Sequence, residues 1–260
     1  MALDKLVDST QLDSDLTSVA NAIRTKGGTS AQLAFPSDFV SAINAISGGG
    51  GYTAEDWAKY AKPTGAVNVD GAVGDYAYYG RTGITSASAT GNVGSSAFQR
   101  CTNLTTVHFP NVTGTFEYTC NGCTKLATAY ISTTNTNNSR TLNYAFTSCT
   151  NLETCDLGTS MYIQAQCFRY DTKLSTLILR RTSLVTLGNV NAFQQSSIAS
   201  GGAGCTIYIP TTLYNALGTG TNDYKAASNW STVDGYGTIT WAKIEGSYWE
   251  THYGDGTAIS

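Results

Sequence analysis

One stretch of this chain returns, with variations, every twenty-odd residues, and a chain repeating on that period has few folds open to it. Ala97-Phe98-Gln99-Arg100-Cys101-Thr102-Asn103-Leu104-Thr105-Thr106-Val107-His108-Phe109-Pro110 comes back as Ala145-Phe146-Thr147-Ser148-Cys149-Thr150-Asn151-Leu152-Glu153-Thr154-Cys155-Asp156-Leu157. Looser copies begin near Ala77-Tyr78, Cys120, Phe168 and Ala192-Phe193. The aromatic slot thus falls at positions 78, 98, 120, 146, 168 and 193, in steps of 20, 22, 26, 22 and 25. A unit of this length cannot bury its own apolar face, so successive copies stack as coils around a continuous core. The longest step contains the polar run Thr133–Ser139, which reads as a loop bulging from one coil.

Each coil can be assigned position by position. A branched aliphatic slot (Ile84, Leu104, Leu126, Leu152, Leu174) and the apolar positions three and five residues later point inward. The residue between those two lies in a short strand and points outward, because side chains alternate along a strand. Down the stack the outward residues are Ser88, His108, Tyr130, Asp156, Ile178 and Tyr208. At ~4.8 Å per rung they form the most regular solvent-facing ladder the sequence offers, and they are the candidate ligand-binding residues. Tyr130 and Tyr208 carry flat amphipathic faces suited to sugars and protein contacts.

The flanks are of a different kind. Residues 1–47 read as a helical hairpin for attachment or oligomerisation, with Leu16, Val19, Ala20 and Ile23 at helical spacing and Gly27-Gly28 as a stop. A second amphipathic stretch follows Pro36-Ser37. Residues 48–75 read as a glycine linker (Gly48–Gly51) and a short helix ended by Pro63. The solenoid is assigned to 76–210. Residues 211–260 are assigned to a capping helix near 222–230 and an aromatic segment, Trp241, Tyr248, Trp249 and Tyr253, packed on the solenoid end or on a neighbouring subunit. The fold class expected is α+β, mainly β.

Composition narrows the function. Charged residues make up 13% of the chain, the net charge is -3, and Arg180-Arg181 is the longest basic cluster, so no nucleic acid partner is expected. No apolar run approaches the length of a membrane span, so no membrane insertion is expected. The start, Met1-Ala2-Leu3-Asp4-Lys5-Leu6, has neither the basic nor the apolar part of an export signal. Cys101, Cys123 and Cys149 share one slot and should stack as buried thiols. Cys120-x-x-Cys123 lacks a second pair for zinc, so no metal or cofactor is expected. Of the two histidines, His108 and His252, His108 has no Ser or Cys nucleophile near it in the repeat pattern, and Glu153 with Asp156 reads as ordinary surface charge, so the chain is not expected to be an enzyme.

The Ala-Phe-x-x-Cys-Thr-x-Leu-x-x-Val-x-Phe-Pro pattern resembles the BspA-like leucine-rich repeats of bacterial surface proteins and of proteins of phages of gut bacteria. Cys205-Thr206-Ile207-Tyr208-Ile209-Pro210 and Tyr224-Lys225-Ala226-Ala227-Ser228-Asn229-Trp230-Ser231 resemble that family's closing module. Ala20-Asn21-Ala22-Ile23-Arg24 and Leu33-Ala34-Phe35-Pro36 resemble the start of phage structural proteins. The resemblance implies a non-enzymatic virion protein, such as a tail fibre, baseplate or head-decoration component, assembled in the bacterial cytoplasm and then extracellular. Its partners would be other virion proteins, through the N-terminal helices, and a host surface glycan or protein. A homo-oligomer is implied, trimers being common among fibres although no heptad run specifies one. The alternatives are a bacterial cell-surface adhesin and, behind it, a polysaccharide-degrading tail protein.

Overall fold

The computed structural model describes Thr17, Asn21 and residues 64–259, apart from 115, 134–141 and 161. The chain divides into two compact units, Met1–Pro63 and Thr64–Ser260. Thr17 and Asn21 are helical and exposed. The rest of the expected hairpin, the glycine linker and the short helix up to Pro63 lie outside the described residues, as does the 133–139 loop beyond Thr133.

Eight strands form one parallel sheet: β1 (Gly65–Val69), β2 (Ile84–Ala89), β3 (Thr106–Val112), β4 (Thr128–Thr133), β5 (Thr154–Asp156), β7 (Thr176–Ile178), β9 (Cys205–Ile209) and β10 (Ile239–Lys243). Each pairs with the next in that order. Two short strands, β6 (Tyr162–Ile163) and β8 (Thr186–Leu187), pair separately in the later coils. This is a mainly β solenoid. The sheet runs one strand further at each end than the 76–210 assignment. At the front, Gly65-Ala66-Val67-Asn68-Val69 alternates like a strand but lacks the aromatic and cysteine slots that mark the later copies. At the back, β10 lies parallel to β9.

The inward column is as the repeat requires. Ile84, Leu104, Leu126, Leu152 and Leu174 are all 0% exposed. Ala87, Val107, Ala129, Cys155, Leu177 and Ile207 follow one another in register and are buried. The aromatic slots also stack: Phe146 and Phe168 have ring centres 5.4 Å apart, and Phe168 and Phe193 5.6 Å. Cys120 is too small to continue the column, and Phe109 and Phe116 bridge the gap between Phe98 and Phe146. Trp230 packs on Phe193, and Trp241 stacks on Tyr224 beside it. The capping helix expected near 222–230 is replaced by turns over 224–229, with one-turn helices at Thr211–Asn215 and Trp230–Asp234. Tyr224 and Trp230 are wholly buried there, so packing fixes the segment without a regular helix.

The turn side, opposite the strands, is built by a second hydrogen-bond ladder. Phe98 N–H donates to Thr119 O (2.9 Å), Cys120 to Ala145 (2.9 Å), Phe146 to Cys167 (2.9 Å) and Phe168 to Ala192 (2.8 Å). To aim these groups along the axis, residues two before and two after the aromatic slot turn left-handed. Tyr76, Ser96, Tyr118, Tyr144 and Gln166 do so on one side, and Arg100, Ser148, Tyr170 and Gln195 on the other. That conformation costs a non-glycine residue about 1–2 kcal/mol, and the coil-to-coil bonds offset it. The expected thiol ladder lies alongside. Cys101 Sγ donates to Tyr78 O (3.0 Å), Cys123 Sγ to Phe98 O (3.1 Å) and Cys149 Sγ to Cys120 O (3.1 Å). Burial pushes the Cys101 thiol up to about 12, which keeps its donor proton in place. All seven cysteines are free and buried.

Candidate functional site

The strand face carries two outward rows. One is Ser86, Thr106, Thr128, Thr154, Thr176, Thr206 and Thr240, in unbroken register over seven strands. None of its seven members is buried. Thr128 Oγ1 donates to Thr106 Oγ1 at 2.9 Å, which bonds these two rungs along the stack. The row ends at an open polar groove of about 420 Å³ lined by Ser175, Gly204, Thr206, Thr238 and Thr240. Sequence reasoning missed this row. Its signal was the recurring Thr two residues after each Leu slot.

The second row is the ladder expected from the repeat. Ser88, His108, Tyr130, Asp156, Ile178 and Tyr208 are paired rung to rung in that order. Their alignment is as read, but their exposure is not. Ser88, His108 and Tyr208 are half-buried, whereas Tyr130 is 6% exposed and Asp156 and Ile178 are 0% exposed. Strand parity says only that a side chain points away from the core, and here a further segment lies across it. That segment is residues 247–257. The aromatic C-terminal stretch therefore divides. Trp241 packs on Tyr224 near the solenoid end, while Trp249 and Tyr253 pack on the strand face.

Specific contacts hold this strap. Tyr253 stacks on Tyr130 with ring centres 4.0 Å apart and meets His108 edge-on at 5.8 Å. Trp249 meets Tyr208 edge-on at 6.2 Å. Asp255 Oδ2 lies 2.6 Å from His108 Nδ1. At the centre, Arg180 Nε donates to Asp156 Oδ2 (2.7 Å), Nη1 to Trp249 O (2.8 Å) and Nη2 to His252 O (2.7 Å). Gly254 N–H donates to the same Asp156 oxygen at 3.1 Å, and Gly158 N–H donates to the other at 2.8 Å. A Cβ on Gly254 would come within 2.5 Å of Asp156 Cβ, so only glycine fits there.

The electrostatics follow from burial and pairing. Burial raises the Asp156 carboxyl above its usual range, opposed by Arg180 and by the Gly158 and Gly254 amides. Burial also raises Tyr130. For Asp255, burial pulls upward, but its bonds to His108 and Thr257 outweigh that and hold it below the usual carboxylate range. Arg180 was read only as half of a basic pair. Its position two residues past Ile178, the rung partner of Asp156, and just beyond the end of β7 was the available clue. Glu153 is exposed and separated in role from Asp156. Among the described residues, no group of three or more His, Cys, Asp or Glu side chains is placed to share a metal ion. No helix among them is long and apolar enough to cross a membrane.

Residues 71–199 match the BspA type leucine rich repeat region in six copies. No curated protein and no solved structure matches the chain. The six matched copies lie within the stack of coils described above. A repeat region of this kind points to a surface or binding protein.

Proposed function

We propose, from a chain that carries six BspA-type leucine-rich repeats, that this is a non-enzymatic virion structural and binding protein of a phage, in a tail fibre, baseplate or head-decoration position. The N-terminal segment, residues 1–47, attaches it to other virion proteins or to further copies of itself. The stack presents a surface to a host glycan or protein. The observation that carries the binding part is the unbroken hydroxyl row from Ser86 to Thr240. Hydroxyls at a fixed ~4.8 Å spacing on a rigid sheet offer a repeating ligand the same bond at every rung, at little entropic cost. Half-buried Ser88, His108 and Tyr208 border that row and add an aromatic edge.

Mass spectrometry of purified particles tests the location: the protein is expected among the virion components, and its absence would remove the virion reading. Thr128→Lys together with Thr176→Lys is expected to weaken particle attachment about tenfold or more by placing bulk on the row. A cell-surface adhesin is the second reading, favoured by the family match itself. Labelling intact bacteria with antibody against the solenoid separates the two.

A further inference from the structure

The strap differs from the rest of the molecule in how it is bonded. Its tip is a small hairpin closed on itself: Tyr253 N–H donates to Thr257 O (2.8 Å), Gly256 N–H to Tyr253 O (2.9 Å) and Ile259 N–H to Thr251 O (2.9 Å). His252 and Ala258 form an antiparallel bridge within it. It adds no strand to the parallel sheet. Its polar attachments to the stack pass through side chains, among them those of Arg180, Asp156, His108 and Tyr130. Leaving the stack therefore costs the hairpin none of its internal bonds. It joins β10 through Ile244, Glu245 and Gly246, and Gly246 is left-handed (φ 80°) with nothing within 4 Å of where its Cβ would stand.

The stack beneath brings its own paired groups to this contact. Asp156 and Arg180 stand on adjacent coils and pair with each other directly. With the strap lifted, two guanidinium donors of Arg180, the face of Tyr130 and the ring of Tyr208 all point to the vacated space. That chemistry takes a loop offering an aromatic ring, a glycine against the sheet and a carboxylate beside the histidine. We propose that this face of β3, β4, β5 and β7 is a recognition seat for an aromatic–glycine–acid hairpin, that the chain's own Tyr253-Gly254-Asp255 occupies it as a displaceable tethered ligand, and that the same hairpin from a second copy can take its place. Exchange of the hairpin would link copies without any new contact, because seat and occupant are already complementary.

The proposal goes beyond the virion reading and shares no measurement with it. The groups facing His108 are Asp255, Tyr130 and Tyr253; Asp156 lies one rung beyond Tyr130, and Arg180 stands on the coil after that. Two variants of the full chain test it. Gly254→Ala cannot seat its own hairpin, and Asp255→Asn removes the charge opposite His108. In both, hydrogen exchange over 247–257 is expected to rise about tenfold or more, while Val107, Ala129 and Cys155 in the stack keep their protection. A fluorescent peptide of residues 245–259 should then bind the Gly254→Ala chain and not the wild type. The same peptide carrying Asp255→Asn should bind more weakly. Should Gly254→Ala fail to fold, the exchange of Asp255→Asn decides: selective loss over 247–257 supports the seat. Unchanged protection in Asp255→Asn, or no peptide binding to a folded Gly254→Ala chain, overturns it, as does equal peptide binding to wild type and variant.

Discussion

The turn side and the strand face of this solenoid each bury an aspartate, and they treat it differently. On the turn side, Asp171 occupies the slot that holds Cys101, Cys123 and Cys149 in earlier coils. Its Oδ1 accepts Cys149 N–H at 2.9 Å, and its Oδ2 has no partner. Burial pushes its carboxyl well above the usual range, and the Cys149 amide opposes this only in part. On the strand face, Asp156 is equally enclosed but is met by a guanidinium and two amides. The turn side is finished by the neighbouring coil alone, so a carboxyl placed in a thiol slot finds no added donor. The strand face is finished by chain from outside the repeat, which supplies what the neighbouring coil lacks. A repeat solves its polar bookkeeping once per coil, and any departure in one copy must be answered from elsewhere.

The largest expected effects come from breaking what each side rests on. On the turn side, Phe146→Ala should lose about 3–5 kcal/mol, and Leu126→Ala or Leu152→Ala about 2–5 kcal/mol, read by denaturant unfolding. On the strand face, Arg180→Met should cost about 3–5 kcal/mol by leaving a buried carboxylate unpaired. The double variant Arg180→Met with Asp156→Leu should recover much of that loss. A double variant as unstable as the single one would show that the strap, and not the ion pair, depends on Arg180.

A smaller effect sharpens the contrast between the two aspartates. A carboxyl whose folded pKa is raised contributes stability that is fully present below its unfolded pKa of about 3.9 and is lost as pH rises toward the folded value. Asp171→Asn keeps an acceptor for Cys149 N–H and removes the titration. The variant should therefore be more stable than the wild type at neutral pH, and its melting temperature should fall less between mildly acidic and neutral conditions. Identical pH profiles would mean that Asp171 finds a proton donor after all. The smallest effect belongs to the open row: Thr128→Val removes one rung-to-rung bond and should cost about 0.2–1 kcal/mol, measurable in the same unfolding series.

The repeat and its slots were legible because they obey local rules. Phe98, Phe146, Phe168 and Phe193 recur at one slot, and so do Leu104, Leu126, Leu152 and Leu174. Strand alternation then dictates that Tyr130 and Asp156 face away from the core. The thiol ladder was legible for the same reason, since residues in one slot of a stack must be neighbours. The left-handed turns at Tyr118 and Arg100 were not, because those residue types carry no signal for that conformation and only the coil-to-coil bonds impose it.

By itself, then, the amino-acid order determined the stack, its register and which side chains leave the core. Tertiary structure alone decided what lies over them: Gly254 against Asp156 and Asp255 against His108 join positions 98 and 147 residues apart. No periodic pattern spans such a separation. Contacts of that kind arise from the shape and charge of two finished surfaces, and those exist only once the chain has folded.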